Sequence, residues 1–162
     1  MMVLRAHSCL AVAAMVRLRD FGLPLPACAW LSSPWTDLSQ SGTTMQTKDA
    51  VDPLIHKAYL DQLAAAYLGG VPADNPLVSP LHADLRGLPP FFIDVGSDET
   101  LLGDATRLAE VAGAAGVRVT LNIWPDMIHA FPLFYQRLEQ GRKALATAGA
   151  AIRNCFESAD SL

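Results

Sequence analysis

The sequence predicts an α/β domain of about three parallel strands with flanking helices. Two observations carry this. Short apolar runs of strand length alternate with longer helix-compatible stretches, the pattern of parallel βαβ units. Of the 162 residues, 51% are hydrophobic and only 17% charged, and mean hydropathy is +0.25. That composition excludes intrinsic disorder and a coiled coil. It is also more apolar surface than a chain of this length readily hides.

The elements follow in order. Residues 11–19 hold Ala, Val, Met, Leu and Arg without a breaker and predict a helix, with Gly22 ending it and Pro24 and Pro26 preventing a restart. Residues 27–31 are a short apolar run, read as a buried strand closed by Ser32-Ser33-Pro34. Residues 37–48 are polar and read as an excursion. Asp52-Pro53 pairs an N-cap residue with proline at the first helical position, so a helix is expected to open there and stop at Gly69-Gly70. Pro72, Pro76, Pro80 and Leu88-Pro89-Pro90 keep the next stretch irregular.

Residues 90–95 are the second strand, leaving through Gly96-Ser97-Asp98-Glu99. A helix over residues 101–115 ends at Gly116. Val117, Val119, Leu121 and Ile123 alternate with Arg118, Thr120 and Asn122, which marks the third strand over residues 117–124. Residues 125–130 form a loop. An Ala-rich closing helix follows over residues 136–155, despite Gly141 and Gly149, and residues 156–162 are expected to fray. The length suits a single domain over 1–162, with a cap-like, irregular excursion within 37–88.

Several function classes drop out. Twelve basic against sixteen acidic residues give a net charge of −4 without a Lys/Arg cluster, so no nucleic-acid partner is expected. The three cysteines, Cys9, Cys28 and Cys155, lie far apart and match neither zinc-ligand spacing nor a disulfide framework. Arg17 and Arg19 follow the apolar N-terminal stretch instead of preceding it, so neither a signal peptide nor a membrane span is expected. A cytoplasmic location is the corresponding expectation.

In a parallel sheet, functional groups gather at the carboxyl ends of the strands. Asp98 follows the second strand and His129 the third. An Asp and a His on neighbouring exits supply the orienting half of a nucleophile–His–acid triad, where the carboxylate fixes the imidazole tautomer and stabilises the imidazolium. A structural loop Asp and a surface His are the plain alternative.

The residues also carry a resemblance. Leu31-Ser32-Ser33-Pro34-Trp35-Thr36-Asp37-Leu38 resembles the hormone-sensitive-lipase-like carboxylesterases of the α/β-hydrolase fold. So do Asn75-Pro76-Leu77-Val78-Ser79-Pro80-Leu81, Gly96-Ser97-Asp98-Glu99-Thr100-Leu101 with Asp104, and Trp124-Pro125-Asp126-Met127-Ile128-His129-Ala130-Phe131, in the family's order. The resemblance implies a partial α/β-hydrolase fold, its C-terminal portion, with the N-terminal strands missing. It implies Asp98 as catalytic acid, His129 as general base, and Glu99, Leu101 and Asp104 as supports of the acid loop. It implies no cofactor and no metal.

The family's H-G-G-G loop and G-x-S-x-G elbow are absent from the sequence. Ser8 lacks the elbow's flanking glycines and a preceding strand, and it suits a helix N-terminus better. The expectation is therefore an ester hydrolase of the Ser-His-Asp type whose serine lies elsewhere, inactive alone. It would act on a small-molecule ester if complemented by an N-terminal half, or self-associate through an uncovered sheet edge. The alternatives are a non-catalytic interaction module and a truncated gene product without function.

Overall fold

The computed structural model describes residues 8–159. Its centre is a parallel sheet in the order β1-β2-β3, formed by β1 (Ala29–Ser32), β2 (Phe91–Gly96) and β3 (Val119–Trp124). Ala29 aligns with Phe91 and Phe91 with Val119, so the three strands start level. Among the described residues, the outer edges of β1 and β3 carry no partner strand.

Helices cover both faces because the strands alternate. Leu31, Phe91, Ile93 and Val95 point to one face. There they form the main core with Val12, Met15 and Val16 of α1 (Ser8–Asp20) and Ala105, Leu108 and Ala112 of α4 (Leu102–Ala114). Phe92, Asp94, Thr120 and Asn122 point the other way, beneath α5 (Glu139–Ala159). Asp94 is buried on that second face. It takes three donors: Trp30 Nε1 at 2.7 Å, Asn122 Nδ2 at 3.1 Å and Trp124 Nε1 at 2.7 Å. An otherwise costly buried carboxylate thereby ties all three strands together.

The excursion between β1 and β2 contains the short α2 (Thr44–Thr47), α3 (Lys57–Leu68) and a 3-10 turn at Pro80–His82. The helix expected to open at Asp52 opens at Lys57 instead, with His56 as N-cap. The Asp52 carboxylate is used differently. Its Oδ1 accepts from the N–H groups of Leu54 and Ile55 at 2.9 and 3.0 Å, and its Oδ2 accepts from Thr100 N–H at 3.0 Å. The residue that looked like a cap is a clip between the excursion and the turn after β2. Gly69, at φ +53, ends α3 where the sequence predicts.

At the C-terminal end, a 3-10 turn at Phe131–Phe134 precedes α5. The helix starts three residues later than expected and continues through the segment expected to fray, to Ala159. Gly141 does not weaken it. A Cβ there would approach Tyr135 Cα to 3.1 Å, so the glycine lets α5 pack on the preceding turn. Among the described residues, no helix is long and apolar enough to cross a membrane.

Candidate active site

The site is assembled where the strands end. At the last residue of β2, a Cβ on Gly96 would lie 2.0 Å from the Met127 carbonyl oxygen, so glycine is required for the exits of β2 and β3 to meet. The two exits are then stitched together, Ser97 N–H bonding Trp124 O at 2.9 Å and Asp98 N–H bonding Met127 O at 3.0 Å. Past Met127 the chain turns through Ala130 at φ +54 and presents His129 at the same end of the sheet.

His129 meets Glu99. Its Nδ1 lies 3.1 Å from Glu99 Oε2. Glu99 is fully buried, whereas the imidazole retains 22% exposure. The other carboxylate oxygen, Oε1, accepts from Ser33 Oγ at 2.9 Å and from Gly96 N–H at 2.5 Å. Ser33 Oγ also accepts from Ala130 N–H at 2.9 Å. A single serine at the exit of β1 thus holds both the acid and the loop that carries the histidine. Ser33 has φ +48. It and Ala130 are non-glycine residues in the left-handed region, an arrangement that persists where surrounding structure over-determines it.

The adjacent acid faces elsewhere. Asp98 Oδ1 pairs with Lys48 Nζ at 3.2 Å, with both side chains about 30% exposed. The structure brings His129 to Glu99 and not to Asp98. The sequence expectation placed Glu99 as a support and Asp98 as the imidazole's partner. Ser33, expected as part of a structural turn, is the residue whose reach that expectation missed. Its position directly after the first strand was the available signal.

Chemically, a buried carboxylate accepting Nδ1–H fixes the tautomer with a lone pair on Nε2. Among the described residues, Nε2 makes no hydrogen bond. A ring in that state is placed to take a proton from a group approaching the exposed side.

A second carboxylate cluster lies nearby. Asp104 Oδ2 accepts from Thr36 and Asp37 N–H at 2.7 and 2.9 Å. Asp37 in turn accepts from Ser39 Oγ, from Ser41 Oγ at 2.5 Å and from Arg107 at 2.9 Å. Burial pushes Asp104 up to about 7, with the Asp37 charge adding to it against the two backbone N–H bonds. Burial acts upward on Asp37 too, but Ser39, Ser41 and Arg107 overcome it and hold that carboxyl well below the usual carboxylate range.

Comparison with known proteins identifies the framework. The α/β hydrolase fold family matches residues 8–133. The chain belongs to that family. As a member of the α/β-hydrolase family it is similar to an acetyl-hydrolase of Streptomyces hygroscopicus, with 46% identity over 89% of this chain and 48% of that protein. It is also similar to an esterase of Acinetobacter venetianus, at 32% identity over 89% of this chain and 49% of that protein. Among solved structures, it superposes on an esterase from the bacterial hormone-sensitive lipase family with a TM-score of 0.89. The identity there is 44%, over 91% of this chain and 50% of the other. The chain therefore spans about half the length of the relatives it matches.

Proposed function

We propose that this chain carries the acid–base half of a carboxylesterase triad, with His129 as general base and Glu99, in place of Asp98, as the acid that orients it. The observation that carries the reading is the 3.1 Å contact between His129 Nδ1 and the buried Glu99 carboxylate. The esterase relatives support the reaction class. In this reading a serine outside this sequence attacks the ester carbonyl while His129 Nε2 takes its proton. Glu99 stabilises the imidazolium, and His129 returns the proton to the leaving alcohol. Water then hydrolyses the acyl-enzyme with His129 again acting as base. Ser33 and Gly96 N–H hold Glu99 for this role.

We further infer that the chain is one part of an incomplete hydrolase domain and is inactive alone, because the sequence contains no G-x-S-x-G elbow. The complementary part belongs on the open edge of β1. An apolar groove of about 450 Å³ runs there, lined by residues that include Met15, Leu25, Ala27 and Leu31. An unpaired edge beside apolar surface suits an added parallel strand.

A p-nitrophenyl ester assay tests both statements. The chain alone should give no turnover that depends on His129. Co-expression with the serine-bearing half of an esterase relative should restore turnover, and Glu99→Gln should abolish it while Asp98→Asn leaves most of it. Restored turnover that survives Glu99→Gln and is lost in Asp98→Asn reverses the assignment of the acid. Turnover by the chain alone that disappears in His129→Ala refutes the missing serine.

A further inference from the structure

Cys28 and Cys155 are far apart along the chain, and the fold brings Cys28 to the part of α5 that carries Cys155. Three observations agree. Cys28 stands two residues before Trp30 and in phase with it, and the Trp30 indole bonds Asp94 on the sheet face that α5 covers. Cys28 lines the β1 groove together with Ile152 and Phe156 of α5, which lie three residues before Cys155 and one after it. The Cys155 thiol stands close enough to perturb that of Cys28. Both are partly exposed, whereas the third cysteine, Cys9, is buried in α1.

We propose that Cys28 and Cys155 are an oxidation site, where the two thiols convert reversibly to an intramolecular disulfide that staples the last turns of α5 to the start of β1. Separation of the two cysteines is the usual obstacle to such a bond, and here Cys28 shares a groove with the neighbours of Cys155 in α5. With a hydroperoxide as oxidant, one thiolate attacks a peroxide oxygen. The O–O bond breaks, a sulfenic acid forms, and the hydroxide leaves as water with the thiol's proton. The second thiol attacks the sulfenic sulfur. The S–S bond forms, the S–O bond breaks, and oxygen leaves as a second water with the second thiol's proton. Two thiols and one hydrogen peroxide thus give one disulfide and two waters. Burial and the neighbouring Cys155 push the Cys28 thiol up to about 12, which favours Cys28 as the second reactant, since the thiolate is the reactive form.

The test treats the full chain with hydrogen peroxide in native buffer, alkylates the remaining thiols and maps the peptides. The free thiols should fall from three to one, leaving Cys9. The cross-linked peptide should join Cys28 to Cys155 and disappear on reduction with dithiothreitol. A loop of this length should raise Tm by about 10 °C in the oxidised form, reversibly. The same oxidation in guanidinium should instead give mixed pairings, and the oxidised Cys28→Ser chain should lack the Tm rise. Native oxidation that yields no Cys28–Cys155 peptide, or yields it no more selectively than in denaturant, overturns the proposal, and this readout needs no variant to fold.

Discussion

Two carboxylate networks share the same scaffold, and they are finished differently. Both link the exit of β1 to the segment after β2. In one, Ser33 and Gly96 N–H saturate one oxygen of Glu99 and leave the other for His129. In the second, Asp104 Oδ2 holds the Thr36–Asp37 backbone, but Asp104 Oδ1, Thr36 Oγ1 and Gln40 Nε2 are buried without a hydrogen-bond partner. The first network spends its bonds on orienting a part-exposed imidazole. The second fastens a loop and leaves a buried acid short of donors, so it titrates high. Similar chain positions and the same functional group therefore serve opposite ends, and the number of donors aimed at each oxygen makes the difference.

The largest expected effect lies in the first network. In the reconstituted esterase, Glu99→Gln should lower kcat by ~10³–10⁴-fold, because an amide cannot stabilise the imidazolium and favours the wrong tautomer. Asp98→Asn should cost less than ~10-fold, since Asp98 faces Lys48 at 3.2 Å. Parallel kcat measurements on the two variants decide it.

The second network predicts a pH dependence. Burial raises Asp104 from its ordinary value of 3.8 to about 7 in the folded chain. Between those values the folded state holds a proton that the unfolded state has lost. The stabilisation is therefore fully present below about pH 4 and disappears as pH rises through 7. Its size is on the order of 4 kcal/mol. Asp104→Asn, whose amide oxygen can keep the two backbone N–H bonds, should flatten this decline in urea melts taken from pH 4 to 8.

Two smaller effects separate the stitching from the chemistry. Gly96→Ala drives a Cβ against the Met127 carbonyl oxygen, 2.0 Å away before relaxation, and should destabilise by ~3 kcal/mol in denaturant melts. Ser33→Ala removes one donor from Glu99 and the acceptor of Ala130 N–H. It should cost ~1–3 kcal/mol and lower the kcat of the reconstituted enzyme more than it raises KM.

Much of the fold was legible because it rests on local pattern. The alternation of Val119, Leu121 and Ile123 with polar neighbours marks β3, and the apolar run before Gly96 marks β2. The misread elements were those where a side chain is claimed from far away. Asp52 looks like a helix cap until Thr100, nearly fifty residues on, is seen to share its carboxylate. Gly141, by contrast, sits in a helix that was expected, and the turn at Tyr135 against it shows what the glycine is for. In the site, His129 was legible from its place after the third strand, whereas its partner was not.

By itself, the sequence determined the order of strands and helices, the family, and the strand exits on which Asp98, Glu99 and His129 stand. These follow from hydrophobic periodicity and from motifs a few residues long. Only the tertiary structure decided which of two adjacent acids meets the imidazole. Neighbouring residues in a turn project in different directions, and here Glu99 turns inward to His129 and Asp98 toward Lys48. The same holds for Cys28 and Cys155. Their separation along the chain argued against a pair, and the packing of α5 on the sheet brings the neighbours of Cys155 to the groove that Cys28 lines.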